Sequence, residues 1–184
     1  KDHVLTPKSA ICYSGFRDGQ SPDTGVYPSK EEIASDLSLL QGRWEALRLY
    51  ACDVHSLRVL EVIDEQGFDF KVMLGAYIGA EQSNPNCPWG AEYSPAVLKK
   101  NRDANQQEIA RAAQWATQYA HIVDVVSAGN EATVEWTDHL VSTDAVVGYV
   151  KYLKKHISQP VTFCENYVPW LGKLDPLVPH VDLI

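Results

Sequence analysis

The sequence lacks the features that several functional classes require. No apolar run comes near the roughly 20 residues of a membrane-spanning helix, so we expect no membrane span. Positive charge is scarce, because the formal net charge is -8 at pH 7. The basic cluster of Lys151, Lys154 and Lys155 is typical of a solvated helix end. Since nucleic-acid binding needs clustered Lys and Arg, we expect no nucleic-acid partner, and a neutral ligand fits better than an anionic one.

Cysteine and histidine are also sparse in the patterns that bind metal. The four cysteines are too few and too scattered for a disulfide scaffold or a zinc site, and we interpret them as structural thiols. The histidines have no metal-binding spacing. Asp138-His139 is a suggestive pair, but the pattern favours a solvated loop pair over a catalytic one. We therefore expect no metal and no cofactor.

The sequence does contain a regular alternation of short apolar runs and amphipathic segments. Such runs, when they are rich in β-forming residues and bounded by turn residues, predict strands. Six runs have this character: Ala10–Tyr13, Leu47–Tyr50, Val72–Ala76, Val123–Ala128, Val161–Cys164 and Val181–Ile184.

Helical patterns lie between most of these runs. The first begins at Ser29 and Glu32, which have the spacing of a capping box. The second follows Asp53 and ends at Gly67. The other segments are a helix over about Asn101–Tyr119, a helix that begins near Thr143, and a short Pro-rich fifth connection.

The alternation predicts an α/β fold with a parallel sheet and helices outside it. A nucleotide-binding doubly wound sheet is the weaker interpretation, because no Gly-rich phosphate loop follows any strand. Connections from strand to helix are long and those from helix to strand are short, which is typical of the active face of a (β/α)8 TIM barrel. We predict a single barrel domain over residues 1–184 that covers about strands 1–6.

Three tryptophans lie in the long loops that follow the predicted strands. Trp89, Trp136 and Trp170 lie there, and aromatic rings around a cleft suit the flat apolar faces of sugars. The alternative is that these loops hold aromatic residues simply by packing on themselves.

A polar pair follows the fourth predicted strand. The apolar run breaks at Gly129, so Asn130 and Glu131 come where a barrel strand delivers side chains to the cleft. A carboxyl group among apolar neighbours has a raised pKa, which suits it to protonate a leaving oxygen. The alternative is a helix-capping pair.

Charged residues on the second and third strands add two expectations. Arg48 and Tyr50 share one face of their strand, and an inward-facing Arg needs a carboxylate partner, either a catalytic acid or a core Asp. Lys71 begins its strand, which predicts a position at the barrel floor. That position argues against a Schiff-base aldolase, whose lysine must face the cleft.

Five motifs occur here in an order that resembles a known family. They are the segments 12–22 (CYSGFRDGQSP), 48–50 (RLY), 74–77 (LGAY), 129–131 (GNE), and 162–166 (TFCEN) with Trp170. Together, and over essentially the full length, they resemble bacterial members of glycoside hydrolase family 17, the β-1,3-glucanases. The resemblance implies a (β/α)8 barrel, retaining hydrolysis or transglycosylation of β-1,3-linked glucan, and a secreted or periplasmic location.

The same resemblance implies roles for individual residues. Glu131 would be the general acid/base, and Asn130 would contact the 2-hydroxyl of the sugar at the cleavage point. The other implied residues are Tyr13 in that subsite, Arg48 orienting the nucleophile, Glu165 with Trp170 binding sugar, and Tyr50, Tyr77 and Trp136 as further substrate contacts.

One part of the family pattern is missing. The family nucleophile is a Glu at the end of strand seven, and this sequence ends at 181–184, in predicted strand six. Double displacement needs two carboxyl groups about 5–5.5 Å apart, and Glu165 does not replace the nucleophile. We expect a C-terminally incomplete domain, inactive and poorly folded alone, with its nucleophile beyond residue 184. The alternatives are a transglycosylase, a non-catalytic glycan-binding protein, and a barrel of another sugar-active family.

Overall fold

The computed structural model describes residues 6–184, and its centre is a five-stranded sheet in the order β1-β2-β3-β4-β5. All four neighbouring pairs are parallel. The strands are β1 (Ala10–Cys12), β2 (Ala46–Arg48), β3 (Lys71–Gly75), β4 (Val123–Asn130) and β5 (Val161–Cys164). The predicted α/β class with a parallel sheet is confirmed, and the closed eight-stranded barrel stays a prediction.

Four helices connect the consecutive strands, and a single helical turn follows β5. They are α1 (Lys30–Leu40), α2 (Val54–Gln66), α3 (Pro95–Gln118), α4 (Thr143–His156) and the single turn α5 (Tyr167–Trp170), followed by a 3₁₀ turn at Val178–His180. Local sequence signals set the start of α1 and both ends of α2, as predicted. Ser29 and Glu32 form a capping box, the Asp53 side chain accepts from the Ser56 N–H, and Gly67 ends α2 with a φ of 69°. None of the helices in the described part of the chain is long and apolar enough to cross a membrane.

Helix α3 begins six residues before the predicted start, at Pro95 rather than Asn101. The Ser94 side chain accepts a hydrogen bond from the Val97 N–H, and proline is well suited to the first helical position. The apolar periodicity in this segment becomes clear only near Ile109. The prediction therefore missed the first part of the helix, which is mostly exposed.

The predicted sixth strand, Val181–Ile184, is wrong for the described residues. The segment lies beside β5, where the Asp182 N–H donates to the Val161 carbonyl oxygen. The Val161 N–H, however, donates to the carboxylate of Asp182 and not to a backbone carbonyl. A side chain thus takes the donor that a strand ladder would use, and the backbone pairing does not extend.

The apolar core lies between the sheet and the helices. α3 packs on β3 and β4, and α4 packs on β4 and β5. The helices contribute fully buried side chains that include Ile33, Leu37, Val59, Leu60, Ile109, Ala112, Val146 and Leu153. This packing leaves the carboxyl ends of the strands and their long loops to form the functional surface.

The cysteine interpretation holds only in part. All four thiols are free, and Cys52 and Cys87 are buried. Cys12 is exposed, so the interpretation as a structural thiol of the core is wrong for this residue. It is paired in register with Arg48 of β2, on the face of the sheet that the helices do not cover.

Candidate active site

The backbone at the end of β4 has an unusual conformation. Gly129 has a φ of 153°, and a Cβ atom there would lie 2.8 Å from the Phe163 ring, so the position requires glycine. Glu131 has a φ of 47°, the one positive value for a non-glycine residue in residues 6–184. Such a conformation costs about 1–3 kcal/mol and persists where the surroundings determine it. The chain therefore turns sharply where the sequence predicts its catalytic carboxyl group.

A cavity of about 480 Å³ lies at the carboxyl ends of β4 and β5. We call it the Glu131 cavity. The structure brings five of the predicted site residues together around it: Arg48, Asn130, Glu131, Glu165 and Trp170. They come from β2, from the end of β4 and from the chain after β5.

Arg48 contacts Asn130 in this cavity. Its guanidinium donates a hydrogen bond to the Oδ1 atom of Asn130 and lies 4.7 Å from the centre of the Tyr50 ring. Within residues 6–184 Arg48 forms no ion pair with a carboxylate, so the expected carboxylate partner is replaced by an amide. Because Oδ1 accepts from Arg48, the amide nitrogen of Asn130 is left as a donor for a ligand.

The carboxyl group of Glu131 is not enclosed by the described residues. The residue is exposed, and its side chain makes no hydrogen bond within residues 6–184. Within this part of the chain the side chain is therefore not buried among apolar neighbours, although Phe163 and Trp170 line the same cavity. The backbone is held more firmly, because the Glu131 N–H donates to the Cys164 carbonyl oxygen at 2.9 Å.

Glu165 is largely occupied by the protein itself. One carboxylate oxygen accepts from both the N–H and the hydroxyl of Thr133 at 2.7 Å, and the other accepts from the Asn166 N–H at 2.7 Å. A carboxylate has about four acceptor positions, so one is left for a sugar hydroxyl. Trp170 lies nearby with its ring centre 6.5 Å from that of Phe163.

A second cavity of about 840 Å³ lies at the carboxyl ends of β1, β2 and β3. Tyr13, Tyr50 and Tyr77 line it, and we call it the tyrosine cavity. The structure does not bring Tyr13 to the Glu131 cavity. Tyr13 is buried, and its hydroxyl donates to the Asp36 carboxylate at 2.7 Å. Burial, followed by this hydrogen bond, raises the pKa of the Tyr13 phenol.

Trp136 lies apart from both cavities. It belongs to the loop between β4 and α4, is 43% exposed, and lines neither the Glu131 cavity nor the tyrosine cavity. Its predicted contact with substrate stays a prediction.

The sequence interpretation missed a buried acid that supports the tyrosine cavity. The Glu108 carboxylate on α3 accepts from the Cys52 N–H at 2.6 Å and from the Tyr77 N–H at 3.0 Å. It also pairs with Arg111 at 2.6 Å. It thereby joins the chain after β2 to the chain after β3. Glu108 precedes Ile109 on the buried face of α3, and an acid on such a face is the signal that was available.

The expectation of a solvated Asp138-His139 pair holds only for Asp138, whose side chain is 50% exposed, because the His139 side chain is only 17% exposed. Nδ1 of His139 lies 2.7 Å from the Asp138 carboxylate, and Nε2 lies 2.9 Å from the Asn130 carbonyl oxygen. In residues 6–184, no group of three or more His, Cys, Asp or Glu side chains is arranged to hold a metal ion.

No sequence family and no curated protein matches this chain by sequence. Solved structures, in contrast, match its fold. An endo-laminarinase from Formosa Hel1_33_131 matches with a TM-score of 0.68 and 27% identity. A glycoside hydrolase family 17 β-1,3-glucanosyltransferase from Rhizomucor miehei matches with a TM-score of 0.61 and 14% identity. The described strands and helices share the fold of the corresponding part of these two enzymes.

The match covers nearly all of this chain but only about half of each enzyme. It includes 95% of this chain and 45% of the laminarinase, and 94% of this chain and 54% of the glucanosyltransferase. The likeness thus supports a family 17 fold for the described sheet and helices. The roles of individual residues are a separate question.

Proposed function

We propose that this chain belongs to a retaining glycoside hydrolase that acts on β-1,3-glucan, with Glu131 as general acid/base. The observation that carries the proposal is the position of Glu131 in a cavity shared with Arg48, Asn130 and Trp170. The fold likeness to an endo-laminarinase supports the substrate class.

In this mechanism the Glu131 carboxyl group protonates the glycosidic oxygen as the bond breaks. The Asn130 amide, oriented by Arg48, donates to the 2-hydroxyl of the sugar, a hydrogen bond that strengthens in the transition state. Trp170 provides a ring face for the sugar. The nucleophilic carboxylate of a retaining enzyme would lie about 5–5.5 Å from Glu131 and is proposed to come from outside residues 6–184.

The tyrosine cavity would bind further sugar units of the same chain. Tyr50 and Tyr77 are 38% and 48% exposed, so their rings are open to a ligand. Tyr50 also contacts Arg48 of the Glu131 cavity, and a glucan that occupies both cavities would pass over it.

The test is a Glu131→Gln variant of the full-length protein, assayed by reducing-sugar release from laminarin. We expect a loss of about 100- to 10,000-fold, as for removal of a general acid. The leaving group of an activated aryl glucoside needs no protonation, so kcat/KM for this substrate, which reports the first step, should fall much less. Hydrolysis of the glycosyl-enzyme intermediate still needs Glu131 as general base. Glu135→Gln is the matched control, because this acid lies in the same loop and is exposed. Equal losses in the two variants would contradict the proposal.

Transglycosylation is a second candidate, favoured by the fold likeness to a β-1,3-glucanosyltransferase. It differs from hydrolysis only in whether a sugar or water accepts the glucosyl unit. Incubation with a short laminari-oligosaccharide separates the two, since a transglycosylase yields products longer than the substrate. Binding without any product would instead indicate a non-catalytic glycan-binding protein.

A further inference from the structure

The peptide bond between Asn130 and Glu131 is held on both sides. Its carbonyl oxygen lies 2.9 Å from Nε2 of His139. Its N–H donates to the Cys164 carbonyl oxygen at 2.9 Å. One of these contacts is a backbone hydrogen bond to the end of β5, and the other comes from a single side chain.

The hydrogen positions on the His139 ring follow from its neighbours. A carbonyl oxygen only accepts, so Nε2 carries a hydrogen and donates it to Asn130. A carboxylate oxygen also only accepts, so Nδ1 carries a hydrogen as well and donates it to Asp138 at 2.7 Å, which orients the ring from the other side. The ring also packs on Tyr77, with ring centres 5.2 Å apart. Since the side chain is only 17% exposed, these contacts hold the donor in one orientation.

The orientation of this peptide bond determines where the Glu131 side chain points. Glu131 has a φ of 47°, a backbone conformation that is unfavourable for any residue other than glycine. The neighbouring contacts fix the chain only beyond Glu131. The Val141 N–H donates to the Ala132 carbonyl oxygen, and the Thr133 N–H donates to the Glu165 carboxylate. Of the side chains in residues 6–184, His139 is the one that bonds the 130–131 peptide.

We propose that His139 is a positioning residue for Glu131, which donates to the Asn130 carbonyl oxygen and so directs the Glu131 carboxyl group into its cavity. The inference rests on the proposed function of Glu131. Its consequence is kinetic, because displacing a catalytic group by about 1 Å costs on the order of 100-fold in rate.

Two substitutions at His139 separate its two hydrogen bonds. The amide nitrogen of glutamine reaches the place of Nε2, whereas that of asparagine reaches only the place of Nδ1. In the full-length protein we expect His139→Asn and His139→Ala to lower kcat on laminarin by about 10- to 100-fold with KM nearly unchanged. His139→Gln should recover most of kcat, because it restores the donor to Asn130.

His156→Ala is the matched control. His156 donates from Nδ1 to the Tyr152 carbonyl oxygen at 2.7 Å, the same type of bond on the exposed surface of α4. Its loss should leave kcat unchanged. A comparable loss of kcat in His156→Ala, or a loss in His139→Gln as large as in His139→Asn, would contradict the proposal.

Amide hydrogen exchange tests the positioning without any enzyme assay. The Glu131 N–H should exchange about tenfold faster in His139→Asn than in the native protein and at the native rate in His139→Gln. Unchanged exchange in His139→Asn would overturn the inference. If native protein released no sugar from laminarin, the proposed function would fail, while this exchange comparison would still decide the role of His139.

Discussion

The two cavities differ in how the protein uses their polar groups. In the tyrosine cavity two polar side chains of the wall are already paired: the Tyr13 hydroxyl donates to Asp36, and Glu108 accepts from the chain after β2 and β3. In the Glu131 cavity, the Glu131 carboxyl group and the Asn130 amide nitrogen have no partner within residues 6–184. The tyrosine cavity therefore offers mainly ring faces to a ligand, and the Glu131 cavity offers a proton from a carboxyl group and a hydrogen-bond donor from an amide.

This difference suggests a division between binding and chemistry. Substitutions in the Glu131 cavity should lower kcat, and those in the tyrosine cavity should raise KM or lower stability. Four experiments on the full-length protein test this division, beginning with the largest expected effect.

Asn130→Ala should lower kcat on laminarin by about 100- to 1000-fold, because it removes a donor aimed at charge that develops in the transition state. KM should change little. Steady-state kinetics give both quantities, with Asn86→Ala, an exposed amide in the loop between β3 and α3, as the control. A rise in KM with kcat unchanged would show that Asn130 only binds substrate, and would contradict the division between binding and chemistry.

Glu108→Ala should lower the free energy of unfolding by about 3 kcal/mol, because it leaves the buried Cys52 N–H, the part-buried Tyr77 N–H and Arg111 without their acceptor. Urea denaturation measures this change. Glu92→Ala, at an exposed position, is the control and should be close to neutral. Equal stability of the two variants would mean that the acid does not support the tyrosine cavity.

Tyr77→Ala should raise KM for long β-1,3-glucans by about tenfold, the loss expected when one aromatic platform is removed. kcat should stay close to native, because the Asp138 carboxylate still orients His139 when its contact with the Tyr77 ring is lost. The kinetics on an aryl glucoside too short to reach the tyrosine cavity should also stay close to native. The measurement compares laminarin with that short substrate. A loss of kcat on both substrates would show that the two cavities do not divide binding from chemistry.

Acidification should weaken the wall of the tyrosine cavity, with the smallest effect of the four. Burial lowers the pKa of His55, and its Nε2 accepts from the Gly15 N–H, which requires a neutral ring. Below the ordinary pKa of about 6.5, the unfolded chain then binds more protons than the folded one. The stability contributed by neutral His55 is complete above that pH and is lost as pH falls below it. Urea denaturation at several pH values should show a flatter dependence in His55→Gln.

Local chemistry made much of the fold predictable. The capping box at Ser29 and Glu32, the cap at Asp53 and the glycine at 67 each act over three or four residues, so helix ends near them were predicted correctly. The start of α3 was missed because its first turns are exposed and lack apolar periodicity. The strand expected at 181–184 failed because a side chain, that of Asp182, takes the donor of Val161.

The candidate site was predictable in its members but less so in their contacts. Because the apolar run of the fourth strand breaks at Gly129, the sequence predicted that Asn130 and Glu131 lie in the cleft. Arg48 was expected to meet a carboxylate and instead contacts the amide of Asn130, 82 residues along the chain. The buried acid Glu108 was missed although its place beside Ile109 on the buried face of α3 was a signal. Its distant partners, the Cys52 and Tyr77 N–H groups, are backbone atoms that no side-chain pattern indicates.

The sequence by itself determined the alternation of strands and helices, the glycine-dependent turn before Glu131, and the family that the chain resembles. These depend on the period of apolar residues and on short-range backbone preferences. Only the tertiary structure decided which residues share a cavity, how Glu165 is occupied, and that His139 holds the peptide before Glu131. Those outcomes depend on how strands and loops distant in sequence pack together, and packing sets distances that local preferences do not encode.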